Sequence, residues 1–222
     1  MGNTNSAKDD TEELRAVQRL ATAINDPPVL DAALAQHRDR LRRMVALRLD
    51  RRLQGRVDPS DVIQEAYLEA ARRLPEYLRE PEPMPVFLWL RFLAAQALQV
   101  LHRKHLGVQA RDAGRELSIH GGRMPQATSA ALAAQLLGHD TRASEAAIRA
   151  ERKLRLEQAL NQMDPLDREV LALRHFEQLS NAESARVLGL KETTATKRYI
   201  RGLRKLKELL ESRPGGDSNA WR

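Results

Sequence analysis

Apolar residues recur at helical spacing along most of the chain, and the strict alternation typical of β-strands is nearly absent. In one stretch Leu41, Val45, Leu49 and Leu53 follow one another at intervals of four residues. Leu, Ala, Arg and Glu are abundant, whereas aromatic residues make up only 4% of the 222 residues, so residues that favour helices dominate. The pattern therefore predicts an all-α protein.

The first predicted elements follow a polar start. Residues 1 to about 14 lack an apolar period and are predicted to be a disordered tail, and helices are predicted over Leu14–Ile24 and Val29–Arg52. Gly55 is expected to lie just past the end of the second of these helices. We treat residues 1–31 as a tail with a short helix that precedes the first domain.

The next two helices are marked by their starting residues. Asp58 is a suitable N-cap and Pro59 a suitable first residue, so "DPSD" is predicted to begin a helix that runs to about Leu78. The proline-rich loop "REPEPMP" then leads into a very apolar helix over Val86–His105. This helix is expected to form the core of a first domain over residues 32–105.

The composition changes after this helix. Residues 106–149 include "HGGRMPQATSAA" and show no sustained amphipathic period, so they are predicted to be a flexible linker with at most short helical turns. A second helical domain is predicted over residues 150–212, followed by a frayed tail over residues 213–222. The expected architecture is two small helical bundles joined by a flexible linker.

The stretch "SNAESARVLGLKE" is typical of a helix-turn-helix. Ser180 is placed to cap a short helix, and Gly189 to end it where the backbone needs a left-handed turn. Ala185 is small enough for a second helix to cross closely, and Leu190 is expected to fill the gap between the two helices. The second helix is predicted to begin near Glu192 with an inward face formed by Ala195, Tyr199, Leu203 and Leu206.

This second helix is strongly basic. Between Lys191 and Lys207 there are seven bases and one acid. A helix that enters the major groove needs side chains near its N-terminus that reach base edges, and bases that hold phosphates. We expect base contacts from Thr193, Thr194, Thr196 and Lys197, and phosphate contacts from Arg198, Arg201 and Arg204. A solvated basic face on an ordinary helical hairpin is the alternative, but the Ala-x-x-x-Gly spacing favours DNA binding.

Charge and composition narrow the function further. The net charge of +7 favours a polyanionic partner, and the absence of cysteine excludes disulfides, thiolate zinc sites and cysteine nucleophiles. No convergent His/Asp/Glu set, phosphate-binding glycine loop or HExxH-type helix is present, so we expect no enzyme, no cofactor and no metal. The most apolar run is interrupted by polar residues and too short to cross a bilayer, so a soluble, cytoplasmic protein without membrane contact is expected.

Two parts of the sequence resemble a known family. "DPSDVIQEAYLEAARRL" and "FLWLRFLAAQALQVLHRKH" resemble the promoter-melting domain of bacterial extracytoplasmic-function (ECF) RNA polymerase sigma factors. "MDPLDREVLALRHFEQLSNAESARVLGLKETTATKRYIRGLRKLKELL" resembles their promoter-recognition domain. The resemblance covers about residues 32–105 and 150–212. Within the family, the sequence is most similar to the large sets of ECF sigma factors found in planctomycete-type bacteria.

The resemblance implies roles for three groups of residues. The basic helix would bind the minus-thirty-five promoter element. A second group matches the helix that docks on the largest polymerase subunit: Asp61, Gln64, Glu65 and Leu68. A third group matches the segment that melts the minus-ten element: Phe87, Trp89, Arg91, Gln96, His102, Arg103 and Lys104. From its apolar neighbours, Trp89 is more simply interpreted as a core residue.

Three positions depart from the family pattern. Gln96 stands where many relatives carry asparagine, Ser184 where they often have isoleucine, and Ala195 where they often have valine. The last two reduce the core between the helices of the helix-turn-helix, and Tyr199 is expected to refill it.

The expected function is that of a sigma factor. Its implied partners are core RNA polymerase, promoter DNA and an anti-sigma protein that holds such a factor silent. A stand-alone helix-turn-helix regulator that does not bind polymerase is the alternative. A small hydrolase or nuclease and a purely helical adaptor are more distant alternatives.

Overall fold

The computed structural model describes residues 27–80, 84–106, 126–137 and 146–212. These ranges form eight α-helices and contain no β-strand, which confirms the prediction of an all-α protein. The helices are α1 (Pro27–Arg48), α2 (Pro59–Tyr77), α3 (Val86–Leu106), α4 (Ser129–Leu136), α5 (Ala146–Asn161), α6 (Pro165–Leu171), α7 (Asn181–Leu188) and α8 (Glu192–Glu211). The predicted tails and the Leu14–Ile24 helix lie outside the described residues.

The chain divides into two compact units. The first contains α1 up to Val45, α2 and α3, and the second contains residues 46–48 together with α4 to α8. α1 ends at Arg48, four residues before the predicted end, and Leu49 and Leu53 are buried although they follow the helix. The apolar residues spaced four apart therefore extend beyond the end of α1.

The first unit is organised by α2 and α3, which pack along each other. The Asp58 side chain accepts a hydrogen bond from the Ser60 N–H at 2.7 Å, and Pro59 is the first residue of α2, as the sequence predicted. Apolar side chains of the three helices form a fully buried core: Leu41, Met44, Val45, Val62, Ile63, Ala66, Phe87, Leu90, Leu93 and Leu98.

The second unit begins earlier than the sequence indicated. α4 lies inside the stretch predicted to be a linker, with Thr128 as its N-cap and Leu132 and Ala133 buried against α5. The cluster at the centre of this unit contains Leu47, Leu132, Leu156, Leu160, Met163 and Leu171. Because α4 is short and rich in alanine, its sequence shows no clear amphipathic period.

A buried ion-pair group belongs to the second unit. The guanidinium of Arg48 pairs with the carboxylates of Glu169 and Glu177, and the Arg48 side chain is wholly buried. Glu169 also accepts a hydrogen bond from the Ala127 N–H at 3.1 Å. Burial alone would lower the pKa of Arg48, but the two carboxylates outweigh it and raise the pKa, so the arginine stays charged.

α6 continues into five residues of wider, π-helical geometry, Ala172–Phe176. α8 packs against α5, α6 and α7, and the Arg155 guanidinium on α5 donates to the Leu210 carbonyl at 3.1 Å. α8 is therefore held along much of its length by other helices of the same unit. Its remaining face is the candidate site.

Candidate nucleic-acid interface

α7 and α8 form the predicted helix-turn-helix. The Ser180 hydroxyl accepts from the Glu183 N–H at 3.1 Å, and the Glu183 carboxylate accepts from the Ser180 N–H at 2.6 Å, which makes a capping box. Gly189 has φ 64°, the left-handed conformation that the sequence assigned to it. Across the turn, the Asn181 side-chain amide donates to the Glu192 carbonyl at 3.1 Å, so the starts of the two helices are tied together.

Small residues form the crossing of α8 with its neighbours. Ser184, Ala185 and Ala195 are buried, and a Cβ on Gly202 would lie 3.4 Å from both the Asp167 carbonyl oxygen and the Leu171 side chain. Among the described residues, the Ser184 hydroxyl has no hydrogen-bond partner. The prediction that Leu203 faces inward is wrong, since its side chain is 39% exposed and Gly202 makes the close approach instead.

The outward face of α8 presents most of the residues predicted to read bases. Thr193, Thr196 and Lys197 are exposed, while Thr194 is half-buried. The Thr196 hydroxyl donates to the Glu192 carbonyl at 3.1 Å, so it keeps its acceptor lone pairs and its methyl group for a ligand. Arg204 is exposed further along the same face.

Two of the arginines predicted to hold phosphates are engaged by an aspartate of α6. Arg201 donates to both carboxylate oxygens of Asp167, from Nε at 2.5 Å and from Nη2 at 2.7 Å. Arg198 donates to the same carboxylate at 2.8 Å and to Asp164 at 3.3 Å. The side chain of Asp167 is 5% exposed, that of Arg198 is 25% exposed and that of Arg201 is 57% exposed.

These contacts set the charge of Asp167. Burial alone would raise its pKa, but the hydrogen bonds from Arg201 and Arg198 outweigh it and hold the pKa below its usual value. The carboxylate is therefore ionised at neutral pH. Sequence reasoning missed this residue because its partners lie 31 and 34 positions away.

On the other side of α8, Tyr199 contacts the π-helical segment Ala172–Phe176. Its hydroxyl lies 3.1 Å from His175 Nε2, the two rings stack with centroids 5.5 Å apart, and the Arg174 guanidinium carbon lies 5.2 Å from the tyrosine ring. Burial, and then the charge of Arg174, lower the pKa of His175. Tyr199 is half-buried, so polar and ring contacts add to the small apolar crossing.

In the first unit, the residues predicted to bind polymerase lie together. Asp61, Gln64, Glu65 and Leu68 are all exposed and share one face of α2, and Leu68 is 54% exposed. We call these four residues the docking face. Glu69 lies one turn beyond Glu65 on α2, but the Glu69 carboxylate is paired with Arg73 at 2.5 Å and Arg72 at 3.4 Å.

The predicted minus-ten residues are divided between core and surface. Phe87 is fully buried beneath the Arg40 guanidinium, whose carbon lies 3.6 Å from the ring centroid. Trp89 is 7% exposed and stacks on Tyr77 at 4.2 Å, and Arg91 is 4% exposed. Phe87, Trp89 and Arg91 are thus buried in the first unit, and their assignment to the minus-ten contact stays a prediction.

The rest of the group lies at or near the surface of α3. Gln96 is half-buried, and Arg103 and Lys104 are exposed in the last turn. The Asp50 N–H donates to His102 Nε2 at 3.2 Å. Burial lowers the pKa of His102, against the opposing effect of Asp50, so the ring is a neutral acceptor at this position.

Two further observations concern only the described residues. Nowhere in these ranges do three or more His, Asp or Glu side chains gather closely enough to hold a metal ion. None of the helices in the same ranges combines the length and the apolar character that a membrane span requires.

Comparison with known proteins gives one family model and several similar solved structures. Residues 153–206 match the family model for sigma-70, region 4, and these residues include α6, α7 and most of α8. The structure of CnrH in complex with the cytosolic domain of CnrY aligns with 90% of this chain and 97% of its own, at 20% identity and TM-score 0.51. The sigma factor RpoE from Bartonella quintana, in complex with the anti-sigma factor NepR, aligns with 91% and 97%, at 19% identity and TM-score 0.41. No curated protein matches.

The helix-turn-helix unit is thus a region 4 domain of the sigma-70 family. The chain as a whole shares the fold of CnrH. The similarity to planctomycete-type sets stays a prediction.

Proposed function

We propose that the chain is an RNA polymerase sigma factor of the ECF type, which binds core RNA polymerase through the docking face of α2 and places α8 in the major groove of the minus-thirty-five element. The observation that carries the proposal is the capped helix-turn-helix whose outward face presents Thr193, Thr196, Lys197 and Arg204 beside a fixed turn at Gly189. Threonine and lysine near a helix N-terminus reach base edges, and arginine further along holds phosphates. The chemistry of RNA synthesis belongs to the polymerase.

Polymerase binding is supported by the composition of the docking face. Asp61 and Glu65 lie one turn apart, and Leu68 adds an exposed apolar side chain next to them. An exposed large apolar residue beside carboxylates suits a helical partner with a basic rim and an apolar centre. This is the surface expected for the polymerase coiled coil that the resemblance implies.

For the minus-ten element we propose the C-terminal part of α3 as the contact. Gln96, Arg103 and Lys104 supply a polar and basic surface there, which can hold single-stranded DNA by its phosphates. The buried aromatic residues Phe87 and Trp89 support this surface from the core.

We further propose an anti-sigma protein as a regulatory partner. CnrH, whose fold this chain shares, is found in complex with a cytosolic domain of another protein. As polymerase and chromosome share one compartment in bacteria, we place the protein in the cytoplasm. Co-purification of an anti-sigma protein with the full chain from its own cells would test the proposed regulatory partner.

Run-off transcription tests the proposed function directly. Core polymerase is incubated with the full chain and genomic fragments, and RNA start sites are mapped. We expect a set of start sites that require this chain and share upstream elements. A stand-alone regulator would bind DNA but would neither co-purify stoichiometrically with core polymerase nor create start sites, and that result would overturn the proposal.

A further inference from the structure

We propose that Asp167 is a positioning residue for promoter recognition: its carboxylate holds Arg198 and Arg201 in a fixed fork, so that α8 meets DNA at one angle. The inference rests on the proposed function of α8. It concerns a residue of α6 whose carboxylate lies behind the surface that touches DNA.

The geometry gives the carboxylate both arginines. Oδ1 accepts from Arg198 Nη1 at 2.8 Å and from Arg201 Nη2 at 2.7 Å, and Oδ2 accepts from Arg201 Nε at 2.5 Å. Bidentate pairing of arginine with carboxylate fixes orientation as well as distance. One buried group on α6 therefore sets the rotation of two successive turns of α8.

The apolar contacts where α8 crosses its neighbours do not by themselves fix its rotation, so polar contacts are needed. Ser184, Ala195 and Gly202 are small, so few large side chains fix the rotation of the first turns of α8, whereas Leu206, Leu209 and Leu210 pack against the core further along the helix. The Asp167 carboxylate on one flank and the pairing of Tyr199 with His175 on the other supply the missing constraint. Loss of the carboxylate is expected to let the helix rotate rather than unfold, because Tyr199 and the α5 contact remain.

Asp167 also reduces the positive charge that α8 can offer to DNA phosphates. With the carboxylate present, the Nε and Nη2 donors of Arg201 are occupied, although its side chain is 57% exposed. Without it, Arg201 is released to bind phosphate on any sequence. Each added phosphate contact steepens the dependence of log affinity on log salt by about 0.9.

Asp167→Asn in the full chain separates these effects. The matched control is Glu151→Gln, which makes the same change of charge on an exposed residue of α5 in the same unit. Binding to a labelled duplex of random sequence is measured over a range of salt concentrations, and transcription by holoenzyme is measured on the mapped promoters.

We expect Asp167→Asn to steepen the salt slope on random DNA by about 1 and to lower the ratio of promoter to random-sequence binding by roughly tenfold. Glu151→Gln should change neither. Equal changes in both variants would show a general charge effect and overturn the proposal, as would an unchanged slope and ratio in Asp167→Asn.

If Asp167→Asn does not fold, by circular dichroism, Arg201→Lys takes its place. Lysine keeps the charge but cannot make both bonds to the carboxylate, so the promoter ratio should fall while folding persists. Unchanged promoter choice in Arg201→Lys would overturn the inference. The proposed function fails separately, if Lys197→Ala and Arg204→Ala leave binding to every promoter unchanged.

Discussion

Arg48 shows how much of this fold depends on a single charged side chain. Its guanidinium is wholly buried and neutralises the carboxylates of Glu169 and Glu177. Arg48→Met would leave two carboxylates in the interior without a cation, which costs about 3–5 kcal/mol when a buried pair loses one partner. We expect that loss in the free energy of unfolding of the full chain, measured with urea.

The control for this variant is Arg52→Ala. Arg52 pairs with Asp50 at 3.0 Å at the surface, and its side chain is 67% exposed. Exposed pairs of this kind contribute at most about 1 kcal/mol. Equal losses in the two variants would contradict a special role for the buried group.

His37 predicts how stability changes with pH. Burial, and then the charge of Arg40, lower its pKa to about 4. The unfolded chain binds a proton near the ordinary pKa of 6.5, whereas the folded chain does so only near 4, so the unfolded state binds more protons between these values. The free energy of unfolding should therefore fall as the pH decreases from 6.5 to 4.

The measurement is urea unfolding at several pH values for the wild type, His37→Gln and His105→Gln. His37→Gln should flatten the profile in this window, while His105→Gln, at an exposed position, should leave it unchanged. Identical profiles for the wild type and His37→Gln would show that this imidazole does not contribute.

At the scale of elements, Gly189 fixes the angle between α7 and α8. With φ 64°, it adopts a conformation that costs other L-residues about 1–2 kcal/mol. Gly189→Ala should lower stability by about that amount and reduce promoter binding, whereas Gly189→Asn should cost less because asparagine tolerates this conformation. Thermal unfolding and holoenzyme transcription measure both effects, and equal losses for Ala and Asn would contradict the explanation.

Local chemistry explains which elements could be predicted. The caps at Asp58 and Ser180 and the turn at Gly189 depend on neighbouring residues, so the sequence places α2, α7 and α8 well. α4 was missed because its burial depends on packing against α5. Leu203 was misplaced because apolarity alone was used, although the smallest residue, Gly202, marks the closest helix approach.

In the candidate site, too, local sequence predicts some residues, while others depend on the packing of distant parts of the chain. Exposed residues such as Thr193, Lys197 and Glu65 follow from helical spacing alone. The link between Asp167 and Arg201 could not be predicted, because it joins positions 34 residues apart through the packing of two helices. Burial of Phe87 and Arg91 likewise depends on the folded first unit.

At the scale of the whole molecule, polymerase binding and DNA reading are assigned to different units, so they should be separable by mutation. Glu65→Lys reverses a charge of the docking face and should weaken capture of core polymerase by about tenfold or more. It should leave binding of the free chain to random DNA unimpaired. Lys197→Ala should do the reverse, with normal capture and altered promoter choice.

Pull-down with core polymerase and binding to labelled DNA measure the two properties side by side. Glu80→Lys is the control, since it makes the same charge reversal at an exposed residue after the end of α2. Loss of polymerase capture by Glu80→Lys as well as by Glu65→Lys would mean that overall charge, not the docking face, governs this contact.

The pairing of arginines with Asp167 has a consequence for kinetics. Seven bases lie between Lys191 and Lys207, but Arg198 and Arg201 share a carboxylate, and Lys205 and Lys207 face Glu208 and Glu211. The long-range attraction that speeds diffusional encounter with DNA is thus weaker than the count of bases suggests. On the proposed function, we expect the free chain to associate with DNA slowly and the polymerase to set the rate at which promoters are reached.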